Sequence, residues 1–407
     1  MDTILPESAE EVAAAVEAAA RDTRPLEVLG LGSKRGLGRS SNLAHCLDLS
    51  KLSGITLYEP EELVLTAGAG TPLADIEKAV AKKKQILAFE PPDLGALLGG
   101  PPGRGSIGGV LACNLAGPRR IKSGAARDHF LGVTAVSGRA EIFKAGGRVM
   151  KNVTGYDLMK LLAGSYGTLA AMTSVTFKVL PRPEKCYSVL VFGLDEAAAL
   201  RAMTHALGSP HEVSGAAHLP AALAGGSEVP YVAEEKTSVT ALRIEGPGPS
   251  VEHRTAALRK ELADLGPTEE LHSANSDILW REIRDVKAFQ SDMERPIWRI
   301  SVPPTEAPDV LSRLASGLPG MEYLLDWGGG LVWLALPPAP DAHCPKVRGA
   351  IEDAGGHATL LRAPQATRAA VQVFQPQPPA LAALSLRLKE SFDPLHLLNP
   401  GRMYQEV

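Results

Sequence analysis

Apolar residues in the N-terminal part of the chain recur with two spacings, one helical and one extended. An alanine-rich run through Ala20 carries Val12 and Val16 one turn apart, after Ser8 and Glu11 at capping-box spacing, and predicts a first helix. Residues 26–31 read as a strand that runs straight into Gly30-Leu-Gly-Ser-Lys-Arg-Gly-Leu-Gly38. A second strand is expected near residues 63–67. Thr71 is the expected N-cap of the next helix, with Pro72 at its first position and Lys82, Lys83 and Lys84 at the end that the macrodipole favours. That lysine run is read as a helix terminus rather than a binding patch. Residues 91–109 are dominated by Gly and Pro and form no regular element, and a small-residue helix is expected over 107–116. Residues 154–162 read as another helix, with Leu158, Leu161 and Leu162 on one face. Val175, Phe177 and Val179 alternate with Thr176 and Lys178, a strand that Pro181 and Pro183 close.

Beyond Pro183 the rhythm changes. Strand-like runs at 187–192, 239–244, 297–302 and 331–336 alternate with amphipathic helices such as 251–265. That pattern predicts an α+β domain with an antiparallel sheet and helices on one side. Residues 376–379, rich in proline, mark a second boundary before a final helix at 381–391. The expected domains are therefore 1–181 and 182–375, with 376–407 as a C-terminal segment. No repeat of solenoid length is visible.

Composition narrows the function classes. The chain has 407 residues, enough for two domains with real cores. A net charge of -4 and an aromatic content of 5% give no basic stripe or stacking platform for nucleic acid. Cys46, Cys113, Cys186 and Cys344 lie far apart, so neither a zinc or iron–sulfur ligand set nor a disulfide framework is expected. Cys113 itself reads as a small buried hydrophobe. No basic n-region with an apolar h-region opens the chain, and no uncharged apolar run approaches a membrane span. A cytoplasmic location is expected.

The chemistry lies in the glycines. Backbone amides approach phosphate oxygens closely where no Cβ intervenes, so a diphosphate cofactor selects glycine clusters. One cluster runs from Gly30 to Gly38 and a second from Gly99 to Gly117. The second contains Gly103-Arg-Gly-Ser-Ile-Gly108, a literal GxGxxG, with Asp128 about 20 residues on, where a ribose-binding acid would be sought. A dinucleotide fingerprint should leave a strand at once and open a helix, and here a long Pro/Gly segment intervenes. A Rossmann reading therefore fails on context.

These segments resemble the FAD-binding domain shared by vanillyl-alcohol oxidases and the D-lactate and glycolate dehydrogenases. Gly30, Gly32, Ser33, Lys34 and Gly36 match its first loop. Gly105, Ser106, Ile107, Gly108 and Gly109, with Asn114 and Gly117, match its second. Lys151-Asn-Val-Thr-Gly-Tyr-Asp-Leu158 and Gly164-Ser-Tyr-Gly-Thr-Leu169 resemble the paired motifs before the closing strand, which adds Asn152, Gly155, Tyr156, Asp157, Gly167 and Thr168. Phe392-Asp-Pro-Leu-His-Leu-Leu-Asn-Pro-Gly401 resembles the C-terminal signature, in which Asn399 would approach the isoalloxazine ring. The resemblance implies a two-lobed FAD-binding domain, an α+β cap, and a tail returning to the flavin. Gly147-Arg-Val-Met-Lys-Asn-Val-Thr-Gly-Tyr-Asp157 and Asp326-Trp-Gly-Gly329 are most similar to the FAD-binding subunit of bacterial glycolate oxidase complexes. That likeness implies a catalytic flavoprotein partner, an iron–sulfur partner that takes the electrons, and oxidation of glycolate to glyoxylate.

Three departures qualify the resemblance. Tyr166 stands where the family has an acid. No His-x-Gly-Asp-Gly-Asn-type metal segment occurs. With that segment missing, no metal is expected, and the first loop offers Lys34 and Arg35 rather than a histidine or cysteine, which implies non-covalent FAD. The catalytic base is not identified. Arg281, Arg284, Arg299 and His357 are the cap candidates for substrate contact, and Arg119, Arg120 and Lys122 suit either the diphosphate or a partner surface. The principal reading is an FAD subunit of a 2-hydroxy-acid oxidising complex. A stand-alone D-2-hydroxy-acid dehydrogenase and a structural subunit with a degenerate flavin site are the alternatives. Any membrane association is expected to come through partners.

Overall fold

Ser8 starts the first helix, Ala9–Arg21, by accepting the Glu11 amide on its Oγ at 3.1 Å, in a computed structural model that describes residues 2–149 and 155–407. The chain forms two compact units. One comprises Met1–Ala116, Gly124–Arg182 and Gln372–Val407, and the other Gly117–Ser123 and Pro183–Val371.

The first unit contains strands β1 (Asp2–Ile4), β2 (Leu26–Leu29), β3 (His45–Asp48), β4 (Ile55–Glu59), β5 (Val64–Gly68), β6 (Gln85–Ile86), β7 (Phe130–Ser137), β8 (Ile142–Gly146), β9 (Ala170–Lys178) and β10 (Leu180–Pro181). They build two lobes. β1 and β2 flank β3 in a small parallel sheet. An antiparallel sheet of order β4-β5-β9-β7-β8 forms the other lobe. Val12, Val16, Leu26 and Leu47 pack with Val136, Ala171, Leu397 and Leu398 in one core, which includes residues of both sheets and of the C-terminal segment.

Helix boundaries differ from the sequence expectations for local reasons. Pro72, not Thr71, caps Leu73–Ala81. The Thr71 hydroxyl is turned into the corner, donating to the Gly68 carbonyl at 2.6 Å. The helix expected over 107–116 ends at Ala112, because Asn114 takes a left-handed φ of 48°. The one expected over 154–162 is Leu158–Leu162 among the described residues. Gly155, at φ 82°, is incompatible with helix there.

The second unit is a mixed α+β body. Its strands are β11 (Lys185–Phe192), β12 (Gly215–Leu219), β13 (Val239–Gly246), β14 (Thr268–Leu271), β15 (Ile297–Ser301), β16 (Glu322–Asp326), β17 (Leu331–Ala335) and β18 (His357–Arg362). They pair antiparallel in the order β14-β11-β13-β12-β16-β17-β15-β18. Helices Glu196–Gly208, Gly248–Leu262, Ser273–Arg284 and Ala307–Gly317 accompany the sheet.

The helix Pro379–Phe392 buries one residue fully, and that residue is a lysine. The Lys389 ammonium meets the Asp393 carboxylate at 2.7 Å, with both side chains sealed from solvent. It also donates to the carbonyls of Thr168 (2.7 Å) and Leu398 (2.9 Å). Asp393 in turn accepts the amides of Leu397 and Leu398. Burial lowers the lysine's proton affinity, and Asp393 opposes that shift. Every member of the network is satisfied, the condition under which a buried pair is tolerable.

Two outcomes are expected. Lys389→Met leaves a buried carboxylate without its cation and should cost about 3–5 kcal/mol. The double variant with Asp393→Asn should cost less than the two single losses together. Urea titrations of the three variants measure this, and additive losses would show that the pair is not coupled. In the second unit His218 is almost fully buried, with Nδ1 against Thr240 Oγ1 at 2.9 Å. Burial depresses its pKa from 6.5 to about 4 against the pull of Glu196 and Asp195. Between those values the unfolded chain binds a proton that the fold refuses. Stability present at pH 7 is therefore lost as pH falls through 6.5, and the loss levels off below about 4. At pH 4.5 His218→Asn should be spared about 2–3 kcal/mol of the wild-type loss. Equal acid sensitivity in the two proteins would refute this.

Candidate functional site

Strand β2 delivers the chain into the first glycine loop, and the second loop faces it across a cleft. Gly30, Gly32, Ser33, Lys34, Ser106, Gly108, Gly109, Gly167 and Asn399 all line it. The structure thus brings both loops, the segment at Gly167 and the C-terminal asparagine to one place. The two loops touch closely: a Cβ on Gly30 would lie 2.6 Å from Ser106 Oγ.

The glycines serve different ends. Gly32 has a left-handed φ of 75° and room for a Cβ, which would make an ordinary contact with Arg35 Cδ at 3.8 Å. At Gly108 a Cβ would sit 2.7 Å from the Ala69 carbonyl oxygen, so this position is fixed by packing against the end of β5. Gly167 is constrained twice, by φ 73° and by Asn399 Nδ2 at 2.8 Å from its would-be Cβ.

Lys34, Arg35 and Arg402 are cations lining the cleft, and Lys34 lies nearest the glycines of the second loop. Its Nζ lies 3.4 Å from where a Cβ of Gly105 would be and 3.5 Å from that of Gly109. Its hydrogen-bond acceptor is Ser33 Oγ at 3.2 Å, and no carboxylate among the described residues comes within ion-pair distance. Burial lowers its pKa, against the charges of Cys113 and Asp93. A desolvated ammonium between two glycine loops calls for an anion. The diphosphate of FAD fits that need.

The floor is held by residues that sequence reasoning passed over. Glu27, buried within β2, takes Arg35 on both oxygens at 3.0 and 2.5 Å. Arg402 approaches the same carboxylate at 3.7 Å and donates to the carbonyls of Lys34 and Arg35 at 3.1 and 3.0 Å. A charge between Leu26 and Val28 in a strand was the available signal. Cys113 is half-buried and lines the cleft. Burial pushes its thiol up while Lys34 and Arg402 pull it down.

The Asn399 amide is engaged by backbone. Oδ1 accepts the Val28 amide at 2.8 Å, and Nδ2 donates to the Tyr166 carbonyl at 2.9 Å and the Val28 carbonyl at 3.3 Å. Tyr166, left-handed at φ 55°, places its ring edge-on to Phe374 at 5.1 Å and lines the cleft.

Other sequence-nominated residues lie elsewhere. Gly36 is in the first loop against Leu98, and Ile107 is buried in the core. Gly105 faces Lys34, and its carbonyl accepts the Leu73 amide. Asn114 accepts the Arg127 amide at 2.9 Å. Thr168 is buried, with its carbonyl given to Lys389. Gly155, Tyr156 and Asp157 line a separate depression with Asp128, Lys160 and Lys178. Tyr156 is 91% exposed there. Gly117 belongs to the second unit, where its carbonyl accepts Trp327 Nε1 at 3.1 Å. Asn152 lies outside the described residues.

The cap candidates divide. Arg284 pairs with its neighbour Asp285 at 2.7 Å, and Arg281 is exposed on the helix Ser273–Arg284. Arg299 and His357 come together, since Arg299 pairs with Thr359 and Ser301 with His357 across β15 and β18. They are diagonal neighbours on one face of the sheet.

Comparison with known proteins matches this architecture. Residues 3–146 match the family of the FAD binding domain. The glycolate oxidase subunit GlcE of Escherichia coli is 35% identical over 393 residues, 96% of each chain. A D-lactate dehydrogenase of Anaerostipes hadrus is 34% identical over 187 residues, 45% of this chain and 37% of its own. Among solved structures, 4-ethylphenol oxidase from Gulosibacter chungangensis superposes with a TM-score of 0.70, covering 99% of this chain and 89% of that one at 14% identity. An alkyldihydroxyacetonephosphate synthase gives 0.67, covering 98% and 76% at 16% identity. Among the described residues no helix is long and apolar enough to cross a membrane. The fold is that of vanillyl-alcohol-oxidase-type flavoproteins, FAD is the cofactor, and by its end-to-end match the chain belongs to the FAD-dependent oxidoreductase family of the glycolate oxidase subunit GlcE.

Proposed function

We propose that this chain is the FAD-binding subunit of a cytoplasmic complex that oxidises glycolate or a similar 2-hydroxy acid to the 2-oxo acid. A second flavoprotein subunit and an iron–sulfur subunit complete that complex, and the latter receives the electrons. The observation that carries the reading is the match over 96% of both chains to a protein named as a glycolate oxidase subunit. A second relative, the GlcD subunit of Bacillus subtilis, is 34% identical over 149 residues and bears the same enzyme's name.

In this reading the Lys34 ammonium and the amides around Gly32 and Gly109 hold the diphosphate. Ser106 limits the approach of the two loops. Val28, Leu49, Ala69, Ala170 and Met172 give the cleft apolar walls that exclude water. Asn399 acts by positioning: it joins the end of β2 to Tyr166 and so fixes the cleft's width. Bound FAD supplies the hydride acceptor for the CH–OH carbon. Tyr166, in place of an acid, keeps a further negative charge away from the diphosphate.

Absorbance before and after acid precipitation should show flavin that leaves with the supernatant, and a coloured pellet would overturn non-covalent attachment. Lys34→Ala should weaken FAD binding about 10- to 100-fold, the worth of charge-assisted hydrogen bonds. Its flavin-free form should melt no lower than wild type, because the lost group was a desolvated cation. Gly32→Ala should fold with a local cost of about 1–2 kcal/mol and bind FAD less well. Gly108→Val should lose the fold itself. Equal flavin retention in Lys34→Ala and wild type would remove the ammonium from the diphosphate site. Turnover of glycolate with an artificial acceptor should require the partner subunits. Full turnover by the chain alone would favour a stand-alone dehydrogenase.

A further inference from the structure

The helix Pro379–Phe392 is anchored through its C-terminal end. Lys389 is its buried residue. The Phe392 ring meets Phe143 edge-on at 6.0 Å, and Arg139 donates to the carbonyls of Ser391 and Glu390 at 3.1 and 3.4 Å. The other end is bare. Residues 379–384 are exposed one after another. At about 3.6 residues per turn, such a run points in every direction around the helix axis. That end of the helix is therefore open on all sides.

Its composition does not suit an open helix. Between Arg368 and Arg387 no residue carries a charge. Leu381 and Leu384, one turn apart, are 47% and 45% exposed, and Ala380, Ala382 and Ala383 stand beside them. A single exposed leucine would be ordinary. A surface helix, however, carries polar residues on its open face, whereas a helix that is apolar all round is a buried one. Helices of this length also take most of their stability from packing, and here the packing acts at the far end.

We infer that residues 379–386 are a docking helix that enters an apolar groove on another subunit of the complex. The partner rests on the function proposed above. Exposure on every side calls for a groove, because a flat surface covers one side only. A second copy across a two-fold axis would offer the same convex turn. Two convex turns laid together leave most of each uncovered and fall short of the roughly 1,200 Å² that a stable interface buries. A lipid surface selects helices with lysine or arginine on one face and aromatic residues at the boundary. Residues 376–386 contain neither. A groove that reads apolar anchors at i and i+3 matches Leu381 and Leu384.

The test mixes the flavin-loaded full-length chain with the second flavoprotein subunit and the iron–sulfur subunit of the same organism. Amide hydrogen exchange over residues 380–386 should be fast in the isolated chain and slow at least about tenfold on assembly. Leu381→Glu and Leu384→Glu should each weaken assembly at least about 30-fold, the effect of losing a hot-spot residue. Flavin absorbance and melting temperature should stay those of wild type. Leu384→Met should assemble normally, as should Tyr231→Glu, a change at a residue 58% exposed in the second unit. If wild type assembles and both glutamate variants assemble equally well, the docking helix is overturned and the complex stands. If wild type assembles with neither subunit, the complex falls and the docking helix with it. Protection of residues 380–386 that grows with the concentration of the chain alone would assign the helix to a second copy. Protection on phosphatidylcholine–phosphatidylglycerol vesicles would assign it to lipid, and either result would overturn the groove.

Discussion

The carboxamide of Asn399 joins three segments that the sequence keeps far apart. It saturates the backbone of Val28, where β2 ends and the first glycine loop begins, and it takes the carbonyl of Tyr166. Any of these groups left unpaired in the cleft wall would carry the cost of a lost hydrogen bond. Closing a loop of 371 residues to make the contact is less prohibitive than it sounds, because closure entropy grows only with the logarithm of length, about 0.6 kcal/mol per doubling. The same tail supplies Arg402, which holds the carbonyls of Lys34 and Arg35, and Lys389 and Asp393, which hold Thr168, Leu397 and Leu398. The glycine loops therefore meet a ligand already shaped, and less of the binding free energy goes into ordering them.

This arrangement changes what a glycine cluster means. Glycine is needed at Gly32 for its backbone angle, at Gly108 because a carbonyl stands where a Cβ would be, and at Gly167 for both reasons. Of these three, Gly32 is the one whose would-be Cβ meets no more than an ordinary side-chain contact. Close approach of backbone to cofactor and close approach of backbone to backbone leave the same mark in a sequence.

Seven of the strands, β2, β5, β9, β11, β13, β15 and β17, and the meeting of both loops with Asn399 were legible because each rests on local chemistry: alternation or a recognisable motif. What was illegible depended on partners distant in sequence. Thr71 reads as an N-cap, yet its hydroxyl is taken by Gly68. Thr168 and Tyr156 sit in matching motifs, yet one is sealed beneath Lys389 and the other faces solvent. Arg281, Arg284, Arg299 and His357 were equivalent as letters. The register of β15 and β18 separates them, and no feature of any single segment encodes that register.

One device recurs in both units: a poorly exposed glutamate holds one member of a pair of adjacent cations. Lys34 and Arg35 are adjacent, as are Arg119 and Arg120. In each pair one cation is neutralised by a glutamate with little exposure, Arg35 by Glu27 and Arg119 by Glu245. Burial alone would raise the Glu245 pKa, but Arg243 and Arg119 outweigh it and hold it at about 2, so this anchor stays charged across the working pH range. Such a pair pins the loop backbone. In the first unit the consequence falls on Lys34: with Glu27 taken by Arg35 and approached by Arg402, its ammonium is left between the two glycine loops with Ser33 Oγ as its acceptor. This is how a protein with a net charge of -4 keeps positive charge directed at a ligand there.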